Sequence, residues 1–301
     1  MKTSELNMNN NKLQGHCAII MANVIFGLGV PVTKMLLDNW MTPMGYMAAR
    51  SLGAAVIFWF IACFLPKEKV NRHDLMTILL CGLLGFVVSQ TLTAWALDYT
   101  TPVYYSLIAA LTPIAVMLMA ALFIKEHITS YGILGVVLGI GGAMLMLLTS
   151  WQGGGNGQND LLGIVLTMMS LLTWAIYLIA TRKVSQKYSP VTQMKWIFLV
   201  STVVTVPWAM ITEPTQPLFS QAWGWSGIAE MFFIIVFATV LGYFMIPYAM
   251  KHLQATTVSI YTNLQPVVAS IIAIVIGQDI LTWDKPVAAI MVLVGAWLVS
   301  K

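Results

Sequence analysis

Ten stretches of about 20 mostly apolar residues, parted by short polar turns, constrain this chain more than any other feature. A helix needs roughly 20 residues to cross the hydrocarbon core of a bilayer, so each stretch has the length of one crossing. The apolar residues run continuously rather than in alternation, which excludes a transmembrane β-barrel. Only 9% of the chain is charged, where a soluble domain carries roughly 25%. The expectation is an all-α, polytopic membrane protein. Its spans are Gln14 to Thr33, Pro43 to Leu65, Leu75 to Leu97, Pro102 to Ile124 and Ser130 to Leu148, then Leu161 to Thr181, Pro190 to Ile211, Ile228 to Met250, Ala255 to Gly277 and Pro286 to Ser300.

The chain also repeats itself. Shifted by 153 residues, Ala94–Leu148 lands on 247–301 without a gap. Leu111-Thr112-Pro113 falls on Leu264-Gln265-Pro266, Ser106 on Ser259, Thr129 on Thr282 and Gly142-Ala143 on Gly295-Ala296. With a shift of 148, Phe26 falls on Trp174, Thr33 on Thr181 and Lys34 on Arg182. A repeat fixes the unit of construction, and here the unit is five spans. Five is odd, so the second unit must enter the membrane upside down. The expected fold is ten transmembrane helices as two inverted five-helix repeats, the plan on which many secondary transporters place a midplane site between the halves. The divisions are an N-terminal tail (1–13), a first repeat (14–149), a Gly-rich linker (150–160) and a second repeat (161–301).

Lys and Arg set the orientation. Lys2, Lys12, Lys67, Lys69, Arg72, Lys125, Arg182, Lys183, Lys187, Lys251 and Lys301 fall on the side of the termini, and only Lys34 and Lys285 on the other. By the positive-inside rule both termini are cytoplasmic, in a plasma membrane or bacterial inner membrane. No small-residue cleavage site follows the first apolar block, which is read as a retained span. Net charge is +4, which in this setting reports topology and gives no reason to expect a nucleic-acid partner. Cys17, Cys63 and Cys81 show no metal or redox spacing and read as small hydrophobes.

A few polar residues stand inside the spans. Arg50 lies about 10 Å deep by helical rise, where an arginine costs roughly 2.5–3.5 kcal/mol and must face the interior or water. It is either a handle for an anionic substrate, since a guanidinium matches a carboxylate bidentately, or a structural residue tied to carbonyls or to Asp98. Lys195 reads as a snorkelling side chain. The sixth span carries Ser170, Thr173, Trp174 and Tyr177 on one helix face, and the ninth carries Ser259, Thr262, Asn263 and Pro266 at the same spacing. Asn23, Gln90, Thr93, Trp95, Tyr243, Pro247 and Tyr261 add to these. The candidate substrate contacts are Arg50, Asn23, Gln90, Trp95, Trp174, Tyr177, Tyr243, Tyr261 and Asn263; interhelical hydrogen bonding is the competing role for the polar stripes. Pro113 and Pro266, near the middles of their spans, are expected to kink or hinge them. Gly135 and Gly139 form a small-residue face, for packing within the scaffold or for a homodimer. Glu126 and Asp279 occupy equivalent turns and read as structural. Glu230 is the acid nearest to membrane depth, hence the candidate for proton coupling.

The order of these motifs is familiar. Leu97 to Thr101, Ser106 to Pro113, Lys125 to Thr129 and the Gly-rich stretch from Gly135 to Gly142 resemble the half-signature of the EamA family of the drug/metabolite transporter superfamily. The second half shows it more weakly, in Asn263 to Pro266, Gln278 to Thr282 and Gly295-Ala296. Pro43 and Arg50 match the family's second helix. Aspartate at 279 in place of glutamate, and no arginine matching Arg50 in the seventh span, depart from it. The resemblance implies a transporter, with efflux as the expected direction, and gives no substrate. Two buried cations and no central acid favour a small anionic or zwitterionic metabolite such as an amino acid; a proton-coupled exporter of cationic drugs, using Glu230, is the alternative. The first span carries no acid, unlike small multidrug exporters. The spans hold no HExxH, no paired aspartates and no Ser/His pair at one depth, and Gly139 to Gly142 follows no strand, so neither an enzyme nor a bound cofactor or metal is expected.

Overall fold

The computed structural model of the protein describes residues 2–124, 130–149, 157–220, 224–253, 255–277 and 283–299. All of the secondary structure described there is helical. In chain order the α-helices are α1 (Lys2–Asn39), α2 (Pro43–Cys63), α3 (Arg72–Gly82), α4 (Ser89–Tyr99), α5 (Pro102–Ala109), α6 (Thr112–Ile124), α7 (Ser130–Thr149), α8 (Asp160–Ser185), α9 (Pro190–Thr212), α10 (Pro217–Ser220), α11 (Trp225–Phe233), α12 (Gly242–His252), α13 (Ala255–Ile260), α14 (Leu264–Val275) and α15 (Asp284–Val299). Joined across their irregular segments they supply 8 helices long and apolar enough to cross a membrane, with two shorter apolar helices at Ser130–Gly142 and Pro286–Gly295. Large apolar side chains such as Phe60, Ile133, Ile211 and Ile290 face outward, as a lipid-facing surface requires. Glu126 and Asp279 lie outside the described residues, as does most of the linker.

Two irregularities recur at the repeat spacing. A π-helical segment, Leu83–Val88, joins α3 to α4, and another, Ile234–Leu241, joins α11 to α12. Shifted by 153, the first falls wholly inside the second. The other irregularity falls at the two prolines. The fourth span is broken just before Pro113: it stops at Ala109 and restarts at Thr112. The ninth span is likewise interrupted by the 3-10 turn Tyr261–Asn263 before α14 begins at Leu264. A proline has no N–H to donate, so the first turn of a helix accepts it at no cost. Pro113 and Pro266 therefore open new helices, two or three residues after the break; the side chain of Pro266 lies outside the described residues.

Counterpart spans pair antiparallel, as a two-fold axis in the membrane plane demands. α2 packs along α9. Thr42 caps α2 by accepting from Gly45 N, and Ser189 caps α9 by accepting from Thr192 N. Each start is also held by the opposite repeat. Glu213 Oε2 accepts from Met44 N at 3.0 Å and Gly45 N at 3.3 Å, while Glu68 Oε2 accepts from Ser189 N and Ser189 Oγ, both at 3.0 Å. Between them Ser51 Oγ and Thr205 Oγ1 share a hydrogen bond at 2.7 Å, and Phe58 stacks on Phe198. A carboxylate at a helix N-terminus satisfies orphan N–H groups and favours the dipole. Burial works against the Glu68 charge, but hydrogen bonds from Thr192 and Ser189 outweigh it and hold the carboxyl below the usual glutamate range. A depressed carboxyl stabilises the fold above its unfolded pKa and loses that contribution as pH falls. Glu68→Ala is expected to cost about 0.5–1 kcal/mol at neutral pH and nothing once the wild-type carboxyl is protonated; denaturation midpoints at the two pH values check this.

The other counterpart pair, α7 with α15, corrects one reading of the glycine face. Gly132, Gly135, Gly139 and Gly142 are all buried. A Cβ on Gly295 would stand 2.6 Å from Gly135 O and 2.9 Å from Gly139 N, and one on Gly139 would strike the Ile114 side chain. The Gly135/Gly139 face is filled from within the chain by α15 and α6, and is closed to a second subunit.

Candidate functional site

The centre of the bundle holds a partly open cavity of about 110 Å³. Its wall is pseudo-symmetric. With the shift of 148, Ile19 pairs with Thr167, Asn23 with Leu171, Phe26 with Trp174 and Val30 with Leu178, and every one of these lines the cavity. With the shift of 153 the same holds for Gln90 and Tyr243, Thr93 and Ile246, Tyr105 and Val258, Ala109 and Thr262, and Thr112 and Gln265. The pseudo-two-fold thus passes through the cavity. The chemistry of the paired positions does not obey it: one side offers Asn23 where the other has Leu171, and Gln90 where the other has Tyr243.

Arg50 breaks the symmetry most. It lies on α2, is 5% exposed and lines the cavity. Its Nε donates to Thr239 Oγ1 at 2.7 Å; its Nη1 donates to Tyr46 Oη and Gln90 Oε1, each at 3.2 Å. The guanidinium also lies 5.2 Å from the ring centre of Phe86, 5.4 Å from Tyr243 and 5.6 Å from Tyr46. These contacts soften the burial of the charge without neutralising it. Among the described residues no carboxylate lies within 4 Å of it and none lines the cavity. The tie to Asp98 considered for a structural arginine is absent there; the carbonyl of Asp98 instead accepts from Lys34 Nζ at 3.2 Å.

Thr239 owes its place to the second π segment. Its hydroxyl donates to Ile234 O, five residues back, at 2.7 Å, so the wide turn both points the hydroxyl at Arg50 and fixes its proton away from it. Thr239 is a positioning residue for the guanidinium. Thr239→Val, which keeps the shape, is expected to weaken binding of any ligand that Arg50 holds about 3–10-fold, read by calorimetric titration beside wild type.

Of the nine candidate substrate contacts, Arg50, Asn23, Gln90, Trp174 and Tyr243 come together on the cavity wall, joined there by Thr93, Ser170 and Thr262 of the polar stripes. The other four do not line it. Trp95 packs edge-on against Trp208. Tyr177 is buried, stacked on Trp174 at 4.7 Å, and fills the space left by Gly85, where any Cβ would strike its ring. Tyr261 Oη bonds His16 Nδ1 at 2.8 Å. Asn263 ends the 3-10 turn with its Oδ1 buried and without a partner among the described residues. Glu230, on α11, is also off the cavity, with Oε2 buried and unpartnered among the described residues. Tyr46, Tyr105, Ser89, Thr239 and Gln265 went unnoticed. For two of them a signal existed: Tyr46 sits one helical turn before Arg50, and Gln265 is the polar partner of Thr112 inside the repeat.

The sequence matches one family twice, at the same two halves. The EamA-like transporter family aligns with residues 13–148 and again with 161–301. This chain belongs to the EamA-like transporter family. An uncharacterized transporter of Bacillus subtilis, YyaM, is 25% identical over 87% of this chain and 86% of its own. An uncharacterized transporter of Synechocystis is 24% identical over 97% and 91%, and a WAT1-related protein of Arabidopsis thaliana 21% identical over 89% and 75%. A protein of known crystal structure superposes with a TM-score of 0.66 at 16% identity over 96% of both chains, which speaks for the fold alone. Family and relatives make the chain a multi-pass membrane transporter.

Proposed function

We propose that this transporter carries a small anionic or zwitterionic metabolite, such as an amino acid or organic anion, by alternating access around the central cavity, and that it acts as an exporter in the plasma membrane with both termini cytoplasmic. The observation that carries the substrate class is Arg50, a buried cation on the cavity wall with no carboxylate beside it among the described residues. A charge kept there at a cost is best explained by a mobile counter-ion, and a carboxylate fits its free edge bidentately. Asn23, Gln90, Trp174 and Tyr243 complete the contact set, with Phe26, Trp174 and Tyr243 enclosing an apolar body (Phe26 and Tyr243 meet edge-on at 5.3 Å). The repeat supports alternating access: two inverted halves related through the cavity can exchange conformations and so present it to either face.

One observation favours a coupling proton. Glu230 Oε2 is buried with no partner among the described residues, and an ionisable group at membrane depth marks a proton or ion path, so Glu230 is the proposed proton carrier. Its position off the cavity fits coupling better than recognition of a cationic drug. A thermal-shift screen of purified protein with amino acids, organic acids, nucleosides and quaternary ammonium drugs separates the two readings. A ligand that binds only the folded state raises its stability. Shifts from anions or zwitterions are expected; shifts confined to quaternary ammonium drugs would replace this reading by cationic drug export.

A further inference from the structure

The cavity holds two glutamine side chains whose orientations are forced by their partners, and the two face the substrate with opposite polarity. An arginine can only donate. Gln90 therefore accepts from Arg50 Nη1 through Oε1 at 3.2 Å, and its amino group, Nε2, is the end left for the cavity. The second chain of bonds begins at a backbone carbonyl, which can only accept. Asn23 Nδ2 donates to Ile19 O at 2.7 Å. That fixes Asn23 Oδ1 as the acceptor for Gln265 Nε2 at 2.6 Å. Gln265 Oε1 is then the end left over, and among the described residues no donor meets it. Two other hydroxyls of the cavity wall are fixed the same way: Thr112 Oγ1 donates to Ala109 O and Thr262 Oγ1 to Ser259 O, each at 2.5 Å, so both have lone pairs left to accept. Arg50 and Gln90 thus offer donors to the cavity, and Gln265, Thr112 and Thr262 offer acceptors.

We propose that Gln265 is a specificity-determining residue that reads a hydrogen-bond-donating group, above all an ammonium, on a substrate whose carboxylate is held by Arg50 and Gln90. The inference rests on the assignment of Arg50 as the anion anchor and adds to it a second point of recognition. A site built around a free acceptor rejects a ligand that brings nothing to it, because the acceptor loses water and gains no bond. The spacing between the two points is measured by the ligands themselves.

The experiment is a calorimetric titration of the full-length purified protein with three series of graded length. The series are butyrate, hexanoate and octanoate, the matching ω-amino acids, and the matching α,ω-dicarboxylates. At one length or more the ω-amino acid is expected to bind about tenfold tighter than its plain alkanoate. Gln265→Leu is expected to remove that excess, and to leave alkanoate affinities unchanged at short lengths and raised where the chain reaches position 265, since the unpaired acceptor is gone. Gln265→Lys keeps a donor toward Asn23 and replaces the acceptor by a cation, so the preference is expected to pass from ω-amino acids to dicarboxylates. That gain cannot come from a misfolded variant. No excess at any length, or a Gln265→Leu variant that weakens alkanoates and ω-amino acids alike, would overturn the role of Gln265 while alkanoate binding that depends on Arg50 stands. Alkanoates that bind the Arg50→Met variant as well as wild type would overturn the anion anchor, and this inference with it.

Discussion

Replacing Arg50 by methionine is expected to abolish the response to anionic ligands while leaving the ligand-free protein as stable as before or more so. The two halves of that result come from opposite sides of one ledger. A buried arginine costs roughly 2.5–3.5 kcal/mol at membrane depth, and its contacts with Thr239, Tyr46, Gln90 and three aromatic rings return only part of it. Methionine fills much of the volume and needs no counter-charge. In the loaded state the balance reverses. A carboxylate desolvated in the cavity without the guanidinium loses a charge-assisted pair, a loss of about 2–5 kcal/mol and so at least about thirtyfold in affinity. An arginine kept for architecture would behave otherwise: its removal would lower the melting temperature and leave ligand shifts of normal size in whatever protein remained folded.

The second large effect is expected far from the cavity, where α7 and α15 touch. At Gly295 the obstacle to a side chain is backbone, the carbonyl of Gly135 and the amide of Gly139. Neither yields without parting the two helices. Helix association in a membrane rests on close approach rather than on expulsion of water, so little remains to hold a parted pair. Gly295→Ala is expected to cost about 1–3 kcal/mol and Gly295→Leu more, seen as lower melting temperatures in detergent. Gly141→Ala is the control on the same pair of helices. Its Cβ would meet only the terminal methyl of Met291, at 2.9 Å, which a rotamer change removes at small cost. Equal stabilities for Gly295→Leu and wild type would show that the close contact carries no weight.

How much of this was legible in the sequence depended on the length of the pattern. Span class, helix starts at Thr42-Pro43 and Ser189-Pro190, and the repeat all rest on signals many residues long. Arg50, Asn23, Gln90, Trp174 and Tyr243 were legible because polar or amphipathic groups at membrane depth must face inward. Which of the inward groups meet the cavity was not legible, since a helix has several inward neighbours. Tyr177 shares a face with Ser170 and Trp174, yet turns to the third span because Gly85 leaves it a slot. In the ninth span the expected stripe of Ser259, Thr262 and Asn263 is one position off. The cavity face runs through Val258, Thr262 and Gln265, the counterparts of Tyr105, Ala109 and Thr112. The π segments left no mark on the sequence pattern, because one extra residue per turn in an all-apolar stretch changes no periodicity that can be seen. They set Thr239 against Arg50, and so the finest feature of the site was the least visible.

Alternating access is tested most directly by labelling cysteines placed at one symmetric pair of cavity positions. In a variant with Cys17, Cys63 and Cys81 changed to serine, Ala109→Cys and Thr262→Cys are counterparts across the pseudo-two-fold and both line the cavity. In sealed vesicles of known orientation, a membrane-impermeant thiol reagent is expected to reach each of them from both faces in turn, with ligand changing the two rates in opposite directions. Labelling from one face only, under every ligand and pH condition tried, would contradict the account.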